Sequence, residues 1–285
     1  MFFSLGKLKK KEFKLMMVRK TLVYLAIVAI LFLFLIPIIW TFLTSLKTHV
    51  DAWTLPPKWT FTPSFHNYSN VLFKKRFIHF FWNSGIVAAV STVISLAIGS
   101  LTGYALERFQ FHGKNLIFFG VLFAYMVPAI VIALPIYVAA ANLGLLDTYV
   151  ILILTHSTFN TAFACWMMRG FFKEIPKELE EYAWIDGCSF LSAFTRITLP
   201  LAAPGLVATA IFCIIFSWND FPFALILSGF RTKTLPVAVG QLETPWGTFW
   251  GEIAASSFAG VIPIFIFSIL VQKWLVRGLT LGAIK

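Results

Sequence analysis

Six stretches of this 285-residue chain carry almost no charge, and what lies between them is read against them. They cover roughly Thr21–Ser45, Asn83–Leu106, Asn115–Ala141, Tyr149–Met168, Pro204–Ser228 and Ile253–Gln272. Each is near the ~20 apolar residues that cross ~30 Å of hydrocarbon as a helix. A lone run of this kind satisfies its own backbone in lipid only as a helix. The pattern predicts an all-α integral membrane protein with six transmembrane helices. Pro37, Pro128, Pro135 and Pro263 fall inside these runs. Pro222 is expected to interrupt the fifth run and free a carbonyl there.

The polar stretch between the fourth and fifth runs is the most patterned of the remainder. Glu174–Pro204 holds Glu174, Glu178, Glu180, Glu181 and Asp186, five of the twelve acids in the chain. It predicts two short helices. Pro176 suits a first helical position, where its missing N–H is not needed. Glu178, Glu180 and Glu181 then lie at the positive end of the helix dipole. Gly187 suits a left-handed C-terminal cap. Ser189 is placed to cap a second helix, with Phe190, Ala193, Phe194 and Ile197 on one face. Pro200 and Pro204 bracket the entry to the next run. Such a hairpin either rests on the bilayer or docks a partner. Interfacial helices are rich in Lys and Arg because the leaflet is anionic, so an acidic first helix favours a protein with a basic socket.

Composition agrees with the membrane class. Hydrophobic residues make up 59% and charged residues 12%, with mean hydropathy +0.84, against ~25% charged in soluble domains. Thirty-two Phe and ten Trp suit lipid-facing surfaces and interfacial belts. The net charge of +11 does not point to nucleic acid, because the cations lie in tails and loops flanking apolar runs. Seven are in the first twenty residues: Lys7, Lys9, Lys10, Lys11, Lys14, Arg19 and Lys20. The apolar run after them is too long for a signal peptide and lacks a small-residue cleavage site, so it is read as a retained span.

With the N-terminus inside, 16 of the 23 Lys and Arg lie on the inner side, leaving Lys47, Lys58, Lys74, Lys75, Arg76, Arg231 and Lys233 outside. The positive-inside rule then places both termini and the acidic hairpin in the cytoplasm. External loops follow at residues 47–82 and 229–252. Trp246, Phe249 and Trp250 of the latter suit interfacial anchoring, or contact with a sugar or an extracytoplasmic protein.

Polar groups inside spans are costly and therefore informative. The fourth span contains Thr155-His156-Ser157-Thr158 and Asn160. His156 and Asn160 are four apart and share a helix face. They either bond to neighbouring helices or line a wet pathway. The fifth span contains Trp218-Asn219-Asp220-Phe221-Pro222. An ionised Asp at the bilayer centre costs ~2.5–3.5 kcal/mol, so Asp220 is read as lining a cavity or capping a helix. His156, Asn160, Asn219 and Asp220 are the candidate substrate-pathway residues. Gly99 and Gly103 form GxxxG in the second span, whose ordinary meaning is close helix packing.

Enzyme chemistry has no positive support. There is no GxxxxGK[ST], HExxH or GxSxG. Cys165, Cys188 and Cys213 are isolated, without CxxC, and the five histidines lack ligand spacing, so no catalytic, cofactor or metal residue is assigned.

Glu181-Tyr182-Ala183-x3-Gly187, then nine residues, then Ile197-x-Leu199-Pro200, resembles the EAA motif of ABC-importer permeases, E-A-A-x3-G-x9-I-x-L-P. Only Tyr182 departs from it. Trp218-Asn219-Asp220-Phe221 and the tail Arg277-Gly278-Leu279-Thr280-Leu281-Gly282-Ala283-Ile284-Lys285 are similar to the maltose-permease (MalG-like) branch of carbohydrate importers. The resemblance implies a type I importer permease fold in a prokaryotic cytoplasmic membrane. Residues 1–20 would be a cytoplasmic tail, 21–276 the six-helix domain with a coupling loop at 170–204, and 277–285 a second tail.

It further implies a permease subunit that moves a sugar, oligosaccharide or related polyol or uronate by alternating access. Its partners would be a second permease subunit, two cytoplasmic ATPase subunits holding ATP and Mg, and an extracytoplasmic solute-binding protein. Glu178, Glu181, Tyr182, Ala183, Asp186 and Gly187 would couple to the ATPase. A secondary transporter driven by an ion gradient and an ABC permease for a non-sugar solute are the alternatives.

Overall fold

The computed structural model describes residues 2–244 and 247–280. The chain opens with α1 (Phe2–Ser45), α2 (His49–Trp53) and α3 (His66–Ser69), the last running into a π-helical turn at Asn70–Lys74. α4 (Phe77–Arg108), α5 (Lys114–Met126), α6 (Ala129–Asn142) and α7 (Tyr149–Glu174) follow. The acidic hairpin comprises α8 (Glu178–Ile185), α9 (Phe190–Ala193), a π-helical turn at Phe194–Thr198 and α10 (Leu199–Leu201). α11 (Ala203–Trp218), α12 (Pro222–Leu227), α13 (Leu235–Gly240) and α14 (Trp250–Thr280) complete it. The class is all-α as expected. Among the described residues the extended pairing is minimal, Glu243–Thr244 antiparallel to Gly247–Thr248.

Two compact units divide the chain. One is built from residues up to Tyr68 with Phe249–Phe258. In it the most apolar stretch of α1, within Met16–Ser45, buries none of its residues, as suits a helix surrounded by lipid. The end of α1 is tied down by Asn67, whose amide donates to the carbonyls of Ser45 and Lys47, both at 2.8 Å. These carbonyls are among those a helix end leaves orphaned. Lys47 is buried, with its Nζ 4.5 Å from the centroid of the Trp40 ring.

The other unit holds Ser69–Thr248 and the chain from Ala259 onward. Its centre is the close approach of α4 to α7. A Cβ on Gly99 would lie 2.6 Å from Ala164 Cβ, and one on Gly103 would lie 2.9 Å from the Cys165 carbonyl. The GxxxG pair therefore does what its spacing suggests and lets two backbones touch. Hydroxyls fill the seam, with Ser95 Oγ donating to the Ser157 carbonyl at 3.2 Å and Tyr149 Oη to Asn83 Oδ1 at 2.6 Å.

Asp147 organises one polar end of this unit. Its carboxylate accepts from the N–H groups of Gly229, Arg231 and Thr232 and from the Thr232 hydroxyl. Burial alone would push its pKa up. The backbone donors outweigh that and hold it down at about 2.

Four helices among the described residues are long and apolar enough to cross a membrane: Met16–Ser45, Phe77–Arg108, Tyr149–Glu174 and Trp250–Ile269. Phe190–Leu201 and Ala203–Trp218, bent by 77°, make a fifth if counted together. The expected third span, Asn115–Ala141, is not one helix. It breaks at Val127-Pro128, leaving α5 and α6 as shorter apolar helices. Pro128 lacks an N–H and pushes Val127 out of the helical region, to φ −67°, ψ 127°. The expected fifth span, Pro204–Ser228, likewise stops at Trp218 and restarts at Pro222. The tail beyond Thr280 and the Pro245-Trp246 pair lie outside the described residues.

Replacing Gly99 with Val should destabilise the folded chain by about 1–3 kcal/mol, the usual cost of overpacking a tight seam. Gly120→Ala on α5, where a new Cβ meets nothing within 4 Å, should be neutral or stabilising. Thermal unfolding of the purified protein in detergent distinguishes them.

Candidate functional site

The acidic hairpin folds from local signals. α8 starts at Glu178 rather than at Pro176, because the first amide bonds accepted within it go to the Lys177 carbonyl, from Glu180 at 2.9 Å and Glu181 at 3.1 Å. It ends where Gly187 adopts φ +84°, with Cys188 N–H donating to the Ala183 carbonyl at 2.9 Å, a left-handed cap suited to glycine. Ser189 Oγ then accepts from Ser192 N–H at 3.2 Å, starting α9. Of the expected second-helix face, Ala193 and Phe194 are buried while Phe190 is exposed, its ring 4.8 Å from that of Trp184.

α8 has two unlike faces. Glu178, Glu181, Tyr182 and Ile185, at i, i+3, i+4 and i+7, are exposed, Tyr182 by 66% and Ile185 by 80%, and Asp186 and Gly187 are exposed beside them. Ala183 turns the other way and is buried. So does Glu180, which sequence reasoning had grouped with the other glutamates at the helix dipole. Its side chain is fully buried. It accepts from Arg108 Nε at 2.7 Å, Tyr104 Oη at 2.7 Å and Thr198 Oγ1 at 2.8 Å. Arg108 is itself buried, and its Nη2 donates to the Ile175 carbonyl at 3.0 Å. One carboxylate thus joins α8 to the end of α4 and to the π-helical turn. The rings of Tyr104, Phe172 and Phe194 pack beside it, with centroids 4.6–5.9 Å apart. The available signal was helix phase, since Glu180 lies three residues before Ala183 on the same side.

The four candidate pathway residues converge on a different place. They line a cavity of about 280 Å³, near the lower end of small-molecule sites, with Tyr125, Phe159, Phe216 and Phe223 as apolar walls. The break in the fifth span brings them together. Helix α11 ends at Trp218, and Asp220 Oδ2 accepts from Ala224 N–H at 3.0 Å, satisfying a first-turn donor of α12. Asn219 donates back to the Ile215 carbonyl at 3.0 Å. Asn160 donates to the Cys213 carbonyl at 3.1 Å, bridging α7 and α11.

His156 is held by Ser217, Nδ1 to Oγ at 2.6 Å, and Ser217 lies 3.2 Å from Ser91 Oγ. Its Nε2 is buried 3.3 Å from Asp220 Oδ2 and makes no hydrogen bond. His156 and Asp220 both line the aromatic-walled cavity, which places an imidazole beside a carboxylate in its wall.

Residues 95–280 match the family model described as binding-protein-dependent transport system inner membrane component. The chain is 37% identical over 261 residues to the trehalose transport system permease protein SugB of Mycobacterium tuberculosis, covering 88% of this chain and 92% of that one. It is 35% identical over 251 residues to the diacetylchitobiose uptake system permease protein DasC of Streptomyces coelicolor, covering 87% and 91%. Among solved structures it is similar to a chain of a bacterial ABC transporter involved in the import of the acidic polysaccharide alginate. There the TM-score is 0.71 at 25% identity, over 88% of this chain and 95% of that one.

Removing one partner of the Glu180–Arg108 pair leaves a buried group without its counter-charge. Glu180→Leu or Arg108→Met alone should cost about 3–5 kcal/mol of stability. The double variant Glu180→Leu, Arg108→Met should recover a large part of that loss. Thermal unfolding of the three variants beside the parent gives the coupling directly.

Proposed function

The chain belongs to the family of binding-protein-dependent transport system inner membrane components, and from that premise we propose that it is one of two permease subunits of an ATP-driven carbohydrate importer. It is a membrane permease and not an enzyme. The carbohydrate reading draws on the relatives named for trehalose and diacetylchitobiose. The observation that carries a direct role for this chain is the convergence of His156, Asn160, Asn219 and Asp220 on one aromatic-walled cavity. Hydroxyl-rich rings suit such a site, since apolar walls cover their C–H faces while His156, Asn219 and Asp220 meet their hydroxyls.

In this reading the six spans are α1, α4, the α5–α6 pair, α7, α11 with α12, and α14, with both termini in the cytoplasm. The exposed face of α8 docks on an ATPase subunit that holds ATP and Mg. Tyr182 and Ile185 are exposed on that face, and Glu178, Glu181 and Asp186 around them suit a basic socket. Gly187 supplies the turn that presents this face. The buried face carries the motion, because Glu180 locks α8 to the end of α4. A solute-binding protein delivers the sugar from outside. ATP drives alternating access only if the two conformations bind the ATPase and the sugar with different affinities.

Reconstituting the complex with its binding protein in proteoliposomes tests both ends. Glu181→Lys should lower uptake and binding-protein-stimulated ATP hydrolysis together by at least about tenfold, the factor that 1.4 kcal/mol of interface energy represents. His156→Ala should lower uptake while stimulated hydrolysis persists. Wild-type uptake in Glu181→Lys would remove the docking assignment, and wild-type uptake in His156→Ala would remove the pathway assignment.

A further inference from the structure

A second cavity, of about 380 Å³, opens where the end of α4, the first turn of α5 and the last turns of α7 meet. Its chemistry is unlike that of the first. Lys114, Arg169 and Lys173 line it with a single carboxylate, Glu107, and with the rings of Phe118 and Trp166. Arg169 Nε donates to Glu107 Oε2 at 3.1 Å, and its guanidinium lies 4.1 Å from the Phe118 ring centroid. That fixes the guanidinium in place while engaging only one of its nitrogens. Among the described residues no hydrogen bond or ion pair engages its terminal amino groups, or the Nζ of Lys114 or Lys173. With Glu107 answered by Arg169, the charges of Lys114 and Lys173 are in excess, and the pre-oriented guanidinium still offers its terminal amino groups. Oxygens of a phosphate are the groups such a set binds well.

The surface beside it is apolar. On α5, Leu116 is 78% exposed, Phe119 63% and Phe123 71%, and Trp166 on α7 is half-exposed. A free anion would use the cations and leave this face uncovered. An amphiphile covers both. The cavity also lies at the cation-rich ends of its helices, where the positive-inside rule places the anionic inner leaflet, and Trp favours that depth.

We propose that this cavity is a headgroup site for an anionic phospholipid. Its phosphate sits on Lys114, Arg169 and Lys173, and its acyl chains lie along the exposed face of α5. The site is separate from the sugar cavity and from the exposed face of α8, and it does not depend on the identity of the transported solute.

Native mass spectrometry of the purified whole transporter, titrated with phosphatidylglycerol or phosphatidylcholine, tests it. Phosphatidylglycerol should be retained in preference to phosphatidylcholine. Lys114→Ala combined with Lys173→Ala should weaken phosphatidylglycerol binding about thirtyfold, as two basic residues contribute near an anionic surface. The single reversal Lys173→Glu should weaken it in the same direction, while the charge-matched pair Lys58→Ala, Lys74→Ala should not. Excess inorganic phosphate should fail to displace the lipid. Displacement by phosphate alone would make this a free-anion site and overturn the lipid assignment. Unchanged phosphatidylglycerol binding in both cavity variants would overturn it outright.

Discussion

A carboxylate withdrawn from water has to be answered at short range, and Glu180 is answered three times over. Arg108 and Tyr104 of α4 and Thr198 of the π-helical turn converge on one pair of oxygens. The desolvation cost of such a group is offset only in that geometry. The orientation of α8 is therefore not free. Once Glu180 and Ala183 face inward, helix phase turns Glu178, Glu181, Tyr182 and Ile185 outward. The exposed surface of α8 follows from the buried side of the same two turns of helix.

The polar cavity follows from a different constraint, the broken span. A continuous fifth helix would leave Asp220 in a helix interior, with no free N–H near it. The break before Pro222 supplies first-turn donors, and Asp220 takes one of them. The same break ends α11 at Ser217 and Trp218, which leaves Ser217 to orient His156 across from it. Backbone irregularity at membrane depth is tolerated where it is buried in protein or lines a wet cavity. Here it makes the site.

Much of this was legible in the chain. The apolar runs, Gly187 as a left-handed cap, Ser189 as a cap, the contact at Gly99 and Gly103, and the break at Pro222 all rest on local rules that the fold leaves intact. Prolines were ambiguous by themselves. Pro37 and Pro263 lie inside continuous helices, whereas Pro128 ends one. Pro135 also stays inside one, so a proline's local preference alone does not decide whether the helix ends. The burial of Glu180 was not legible either. Next to Glu178 and Glu181 it looks like one more acid at a helix start, and its partner Arg108 is 72 residues away in the chain. The convergence of His156 with Asp220 was likewise invisible, because spacing within one helix says nothing of what another helix brings opposite.

If Glu180 makes the hairpin part of α4, the two must move as one body during transport. Spin labels at His112→Cys, just past α4, and Thr195→Cys, in the hairpin, report this in the full complex once Cys165, Cys188 and Cys213 are replaced. Their distance distribution, measured by pulsed electron resonance in the ATP-free and vanadate-trapped states, should superimpose. A shift of the main peak between the two states would show that the hairpin swings independently of α4, and the buried pair would then be a local contact rather than the joint that carries motion into the membrane.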